Sequence, residues 1–89
     1  MIDLTKVKPN DIFYTIGEIW DDELDVNTGR ISICVKNVEP WGDSDREGVL
    51  AHGQCWYPAD QLTTEKPPDD EYTNFGEEYL KYLNRKDIT

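Results

Sequence analysis

Nineteen carboxylates, two thiols and one imidazole are the side chains of this chain that could do chemistry. The densest oxygen-rich run is Asp21-Asp22-Glu23-Leu24-Asp25-Val26-Asn27, which invites comparison with a calcium loop. Such a loop needs Gly at its sixth position and Glu at its twelfth. Counted from Asp21 those positions hold Val26 and Ser32, and counted from Asp25 the sixth is Arg30. No dedicated metal site is expected, and no cofactor. His52 is the only histidine, so one chain cannot build a multi-histidine metal centre. His52 with Cys34 or Cys55 would pair a base with a thiol nucleophile. His52 and Cys55 are three residues apart, however, and on an alternating strand that spacing puts them on opposite faces. Ser32 and Ser44 have no base nearby in sequence, and no nucleophile elbow, phosphate loop or dinucleotide fingerprint is present. Paired acids could serve as acid and base, but with so many carboxylates close pairs arise by chance. The sequence reads as a non-enzyme.

The elements that would position these residues follow from periodicity and turn chemistry. Ile12 to Trp20 alternates, with Ile12, Tyr14, Ile16 and Trp20 on one face and Phe13, Thr15 and Ile19 on the other. This predicts a strand over 12–20 with Gly17 as a bulge. Asp21 to Gly29 reads as a polar connection ending in the tight-turn signal Asn27-Thr28-Gly29. A second strand is expected over 30–39, with Ile31, Ile33 and Val35 inward and Cys34 and Val38 opposite; the two strands form a hairpin with an acidic tip. Pro40 to Asp45 is loop. A third strand is expected over 47–57, with Val49, Ala51, Cys55 and Tyr57 on one face and Leu50, His52 and Trp56 on the other. Leu62 belongs to a short closing strand, and 65–73, with Pro67 and Pro68, reads as irregular.

A helix is expected over 74–86. Asn74 is its N-cap, Glu77 and Glu78 suit its first turn, and Lys81, Arg85 and Lys86 suit its last. Its apolar stripe reads as Phe75, Tyr79, Tyr82 and Leu83, joined by Leu80. The expected fold is a single α+β domain over 1–89. It takes the form either of a three- to four-stranded antiparallel sheet or of a small SH3-like barrel, followed by one C-terminal helix.

Composition limits the setting. Aromatics make up 11% of 89 residues, too many for a disordered acidic chain. The mean hydropathy of -0.74 implies a thin core, to which dimerisation would add buried area. No run of about 18 apolar residues is present to span a membrane, and the opening residues lack a secretion pattern. Cys34 and Cys55 lack CxxC spacing and read as buried free thiols, so a cytoplasmic location is expected.

The net charge is -10. A field of that sign repels nucleic acid and attracts basic surfaces. From Glu39 to Glu78 there are eleven acids against two basic residues, Arg46 and Lys66. Trp20, Trp41 and Trp56 could stack on bases, but their acidic surroundings argue against direct nucleic-acid binding. Duplex phosphates recur about every 3.4 Å per strand, whereas alternate strand residues lie about 6.6 Å apart. Carboxylates on adjacent elements can therefore trace rows near phosphate spacing. The candidate rows are Asp21, Asp22, Glu23 and Asp25; Asp43, Asp45 and Glu47; and Asp69, Asp70 and Glu71 leading to Glu77 and Glu78. Trp41, in a Pro-Gly loop, is the candidate apolar anchor. Acidity that serves only solubility is the competing explanation.

Size, acidity, the sheet-then-helix order and the opening Ile2-Asp3-Leu4-Thr5-Lys6-Val7-Lys8-Pro9-Asn10-Asp11-Ile12-Phe13-Tyr14 resemble the small acidic early proteins of tailed phages that block host defence. Among these, the chain is most similar to the anti-restriction DNA mimics of T-even phages. The resemblance implies a homodimer whose joined acidic faces imitate a bent duplex. It also implies a basic DNA-binding protein, such as a restriction nuclease, as partner in the host cytoplasm. A second reading is an SH3-like protein-interaction module, with Trp41, Tyr14 and the Trp56-Tyr57-Pro58 run forming an aromatic groove.

Overall fold

The computed structural model describes residues 2–53 and 55–86, with Asp21 and Lys86 described by their backbone alone. One long strand, β3 (Val26–Pro40), pairs with almost everything else. Along one edge run β1 (Ile12–Thr15) and β2 (Ile19–Asp21), both antiparallel to it. Its other edge takes β4 (Glu47–Ala51), which pairs in turn with β5 (Trp56–Pro58). β6 (Leu62–Thr63) adds to β1, and β7 (Tyr72–Thr73) joins β3 in the one parallel pairing among the described residues. The path β5-β4-β3-β1-β6 is an open sheet, followed by the C-terminal helix α1 (Phe75–Lys86). The chain is thus the expected α+β fold, in its open-sheet form.

Fifteen residues, separated by steps of about 3.3 Å, would make a straight strand about 46 Å from first to last Cα. The molecule extends 39 Å along its longest principal axis, and within it β3 bends rather than running straight. It does so at two irregular points. Between Val35 and Asn37 the register with β4 shifts, leaving Lys36 as an extra residue. Val38 therefore sits opposite Val49, on the same side as Val35 opposite Ala51, which corrects the face expected for Val38, although the side chain stays exposed. A second shift, between Ile19 and Trp20, brings Gly29 and Asn27 into register with them. Gly29 has φ +72, a conformation glycine adopts without penalty. Asn27-Thr28-Gly29 is hence an irregular stretch inside the strand rather than the expected turn. The turn itself is Asp22 to Asp25, with Asp25 at φ 54.

The core gathers Phe13, Ile31, Ile33, Val35, Val49, Ala51 and Leu62, with Ile2 and Ala59 closing it from the chain's turns. Ile31 through Val35 are all buried, so the centre of β3 is covered on both faces. Four further expectations are corrected. The 12–20 strand breaks at Ile16-Gly17-Glu18. The 47–57 strand is a hairpin whose turn begins at His52. The stretch read as irregular contributes β7. Of the two cysteines, both free, only Cys34 is buried, because Cys55 lies in that turn and is exposed.

α1 departs most from its sequence reading. Gly76 is its only buried residue among those described, and Leu80 and Leu83 on the same face are half-buried. A Cβ at Gly76 would overlap the backbone of Ile33, so glycine is what lets the helix touch β3. The aromatic stripe Phe75, Tyr79 and Tyr82, one position away, stays exposed. The expected apolar stripe thus divides, its leucines half-buried and its aromatics at the surface.

Candidate partner-binding surface

β3 sorts the acids into two groups. The turn after β2 exposes Asp22, Glu23 and Asp25 at the start of β3. β7 runs parallel to β3 from Arg30, so the exposed Asp69, Asp70 and Glu71 just before it lie toward the same end. Thr73 Oγ1 donates to the Thr28 carbonyl, fixing that placement. Asp43, Asp45 and Glu47 are exposed at the opposite end, where β3 turns into β4. Asp21 pairs with Val26 in the strand ladder, and its side chain lies outside the described residues. Asp69 meets Lys66 at 3.7 Å and Glu78 meets Lys81 at 3.5 Å, both as exposed pairs that neutralise little of the field.

Glu77 differs from the other acids. Its Oε1 accepts from the Tyr14 hydroxyl at 2.7 Å and its Oε2 accepts from Asn74 Nδ2 at 2.7 Å. These bonds hold its carboxyl below the usual carboxylate value. Ser32 Oγ donates to Asn74 Oδ1 and accepts from the Gly76 amide, both at 2.9 Å. Glu77, Asn74 and Ser32 form the clamp that seats α1, so Glu77, half-buried, has a structural part to play.

Trp41 leans on Trp56, with ring centroids 5.1 Å apart, and stays 60% exposed. Trp56 Nε1 donates to the Glu39 carbonyl, and the Arg46 guanidinium lies 5.9 Å over its ring. Tyr14 is buried and packs edge-on against Tyr72. The structure therefore does not unite Tyr14 with Trp41 and Trp56 in one groove.

A different groove is present, with a volume of about 650 Å³. Its floor is β3 from Ile31 to Cys34. Its walls are the β2–β3 hairpin, the turn at His52 and the start of α1. Trp20, Phe75 and Tyr79 present aromatic rings to it, and Asp22 and Glu23 belong to its lining. His52 stacks on Tyr79 at 5.0 Å and 15°. Sequence reasoning missed this groove because Trp20 and Phe75 were assigned to different elements with no stated neighbour. The signal available was the run of aromatics at helical spacing in a helix with little else to bury.

His52, Cys34 and Cys55 all line this groove, although alternation would have separated His52 from Cys55; the turn at His52 ends the alternation. His52 Nε2 and the Cys34 thiol both meet the side-chain oxygen of Asn10, at 2.9 and 4.0 Å. Burial, and then the charge of Asp11, push the Cys34 thiol up, which disfavours the thiolate. Ser44 Oγ donates to the Trp41 carbonyl and Ser32 belongs to the clamp, so both hydroxyls serve structure. Among the described residues no three His, Cys, Asp or Glu side chains gather as a metal-binding group. No helix among them is long and apolar enough to cross a membrane.

Comparison with known proteins finds no matching protein-family model, no matching curated protein and no matching solved structure.

Proposed function

We propose that this chain is a non-enzymatic inhibitor of phage type that acts as a DNA mimic. Its carboxylates stand in for phosphates and occupy the DNA-binding surface of a basic host protein, with a restriction nuclease as the leading partner. The observation that carries the reading is the display of exposed acids at both ends of one 15-residue strand. A sheet holds these charges in fixed relation, whereas a disordered acidic tail would pay ordering entropy on binding. The 39 Å long axis is comparable to one turn of duplex, about 34 Å. Asp22, Glu23, Asp25, Asp43, Asp45, Glu47, Asp69, Asp70, Glu71 and Glu78 present the charge, and Trp41 adds an apolar contact.

The test is competition. The protein is titrated into a complex of duplex DNA with the DNA-binding domain of a modification-dependent restriction nuclease. It should displace the duplex at about 0.01 M salt, where the Debye length is about 30 Å, and fail at about 1 M, where it is about 3 Å. Failure to displace DNA at low salt, or displacement insensitive to salt, would sink the reading.

A further inference from the structure

We propose that the groove between the β2–β3 hairpin and α1 is a seat for an arginine-bearing, extended segment of the partner protein. This rests on the basic-partner reading above and names what that partner must carry. Two observations argue for the occupant. The first is charge: among the described residues the lining holds two carboxylates, Asp22 and Glu23, and neither lysine nor arginine. The second is the aromatic wall. Trp20 is 56% exposed, Phe75 52% and Tyr79 37%, and all three line the same concavity.

Carboxylates beside the exposed rings of Trp20 and Phe75, with Tyr79 stacked on His52 behind them, suit a cation on an apolar stem. A guanidinium is planar and weakly hydrated, so it stacks on rings and meets carboxylates through its forked donors; an ammonium is a strongly hydrated point charge. The chain already uses this chemistry once within itself, where Arg46 lies over the Trp56 ring. A volume of about 650 Å³ falls in the usual range for ligand sites, about 300–1,000 Å³, and is large enough for several side chains of an extended segment. An extended segment fits the site because the groove follows β3 from Ile31 to Cys34; it would meet side chains there, since the β3 backbone is already paired with β1 and covered by Gly76.

The test uses the full chain with fluorescein-labelled hexa-arginine and hexa-lysine, read by anisotropy at low salt. Hexa-arginine should bind at least about fivefold more tightly than hexa-lysine. Trp20→Ala and, separately, Tyr79→Ala should erase that preference while leaving hexa-lysine binding nearly unchanged. Circular dichroism confirms that each variant is folded, and having two variants guards against one misfolding. The triple change Asp43→Asn, Asp45→Asn, Glu47→Gln at the far end should weaken both peptides by the same factor. Equal binding of the two peptides, with no effect of either aromatic change, overturns the groove inference and leaves the mimic reading standing. An arginine preference lost in Trp20→Ala, in a protein that fails to displace duplex from the nuclease, upholds the groove and overturns the mimic reading.

Discussion

The hydroxyl of Tyr14 donates a 2.7 Å hydrogen bond to Glu77 across 63 residues of sequence, joining β1 to the first turn of α1. Each partner shifts the other. Burial, and then the bond to Glu77, push the phenol up to about 12, while the same bond holds the carboxyl below its ordinary 4.5.

The first prediction concerns acid. A carboxyl lowered on folding stabilises fully above its unfolded value, and that share fades as pH falls through the folded one. Glu77→Gln should cost about 1–2 kcal/mol at neutral pH. The gap to wild type should narrow as pH falls below 4.5 and close once wild-type Glu77 is itself protonated in the folded protein. Denaturant melts at a series of pH values check this; a gap constant with pH would mean that the charge of Glu77 is not what the clamp uses.

The second concerns alkali. Tyr14 and Tyr57 are both pushed to about 12 from 10, Tyr57 by burial and then by the neighbouring Cys55. A raised phenol stabilises fully below 10, and that share is lost as pH climbs from 10 toward 12. Phenolate absorbance should show late-titrating groups, one of which disappears in Tyr14→Phe and another in Tyr57→Phe.

Gly76 supplies a steric test. Gly76→Ala forces α1 off the Ile33 backbone and should cost about 3 kcal/mol or more, despite the better helix propensity of alanine. Gly17→Ala, where nothing lies within 4 Å of the added carbon, should stay within about 0.5 kcal/mol. Equal effects of the two in urea melts would contradict the close approach.

Trp41 separates stability from contact. Its exposed stack on Trp56 predicts a loss of only about 0.5–1.5 kcal/mol for Trp41→Ala. Displacement of duplex from the nuclease should suffer more than this. A fold that melts outright would instead make Trp41 part of the core.

Self-repulsion gives the last prediction. With a net charge of -10, added salt should raise the melting temperature, and Asp22→Asn with Glu23→Gln and Asp25→Asn should mimic salt in part. The same triple variant should lose affinity for basic partners. Stability and binding thus move in opposite directions, a pattern that acidity kept only for solubility does not produce.

Much of the fold was legible. Ile31, Ile33 and Val35 alternate inward as read, and Asn74 with Glu77 marks the helix start. What failed did so for physical reasons. Nothing in Lys36 announces a bulge, so Val38 was placed on the wrong face. Gly29 carries the same signal in a strand irregularity as in a turn, since both require its positive φ. In α1, Phe75-Tyr79-Tyr82 and Gly76-Leu80-Leu83 share one period and differ by one position. Hydropathy favours the leucine set, and a backbone-to-backbone approach at Gly76, which no pattern of side chains encodes, seats that set toward β3. The charge was fully readable, whereas its division between the two ends of β3 came only with the pairing of β7.

The clamp on α1 also positions the helix against the groove. Ser32, Tyr14 and the Ile33 backbone all grip it at or before Glu77, with Gly76 at the tightest point and Leu80 and Leu83 half-buried beyond. Tyr79 lies beyond that point and meets His52 across the groove. The seating of Gly76 on Ile33 thus sets one wall of the groove as well as the cover over β3.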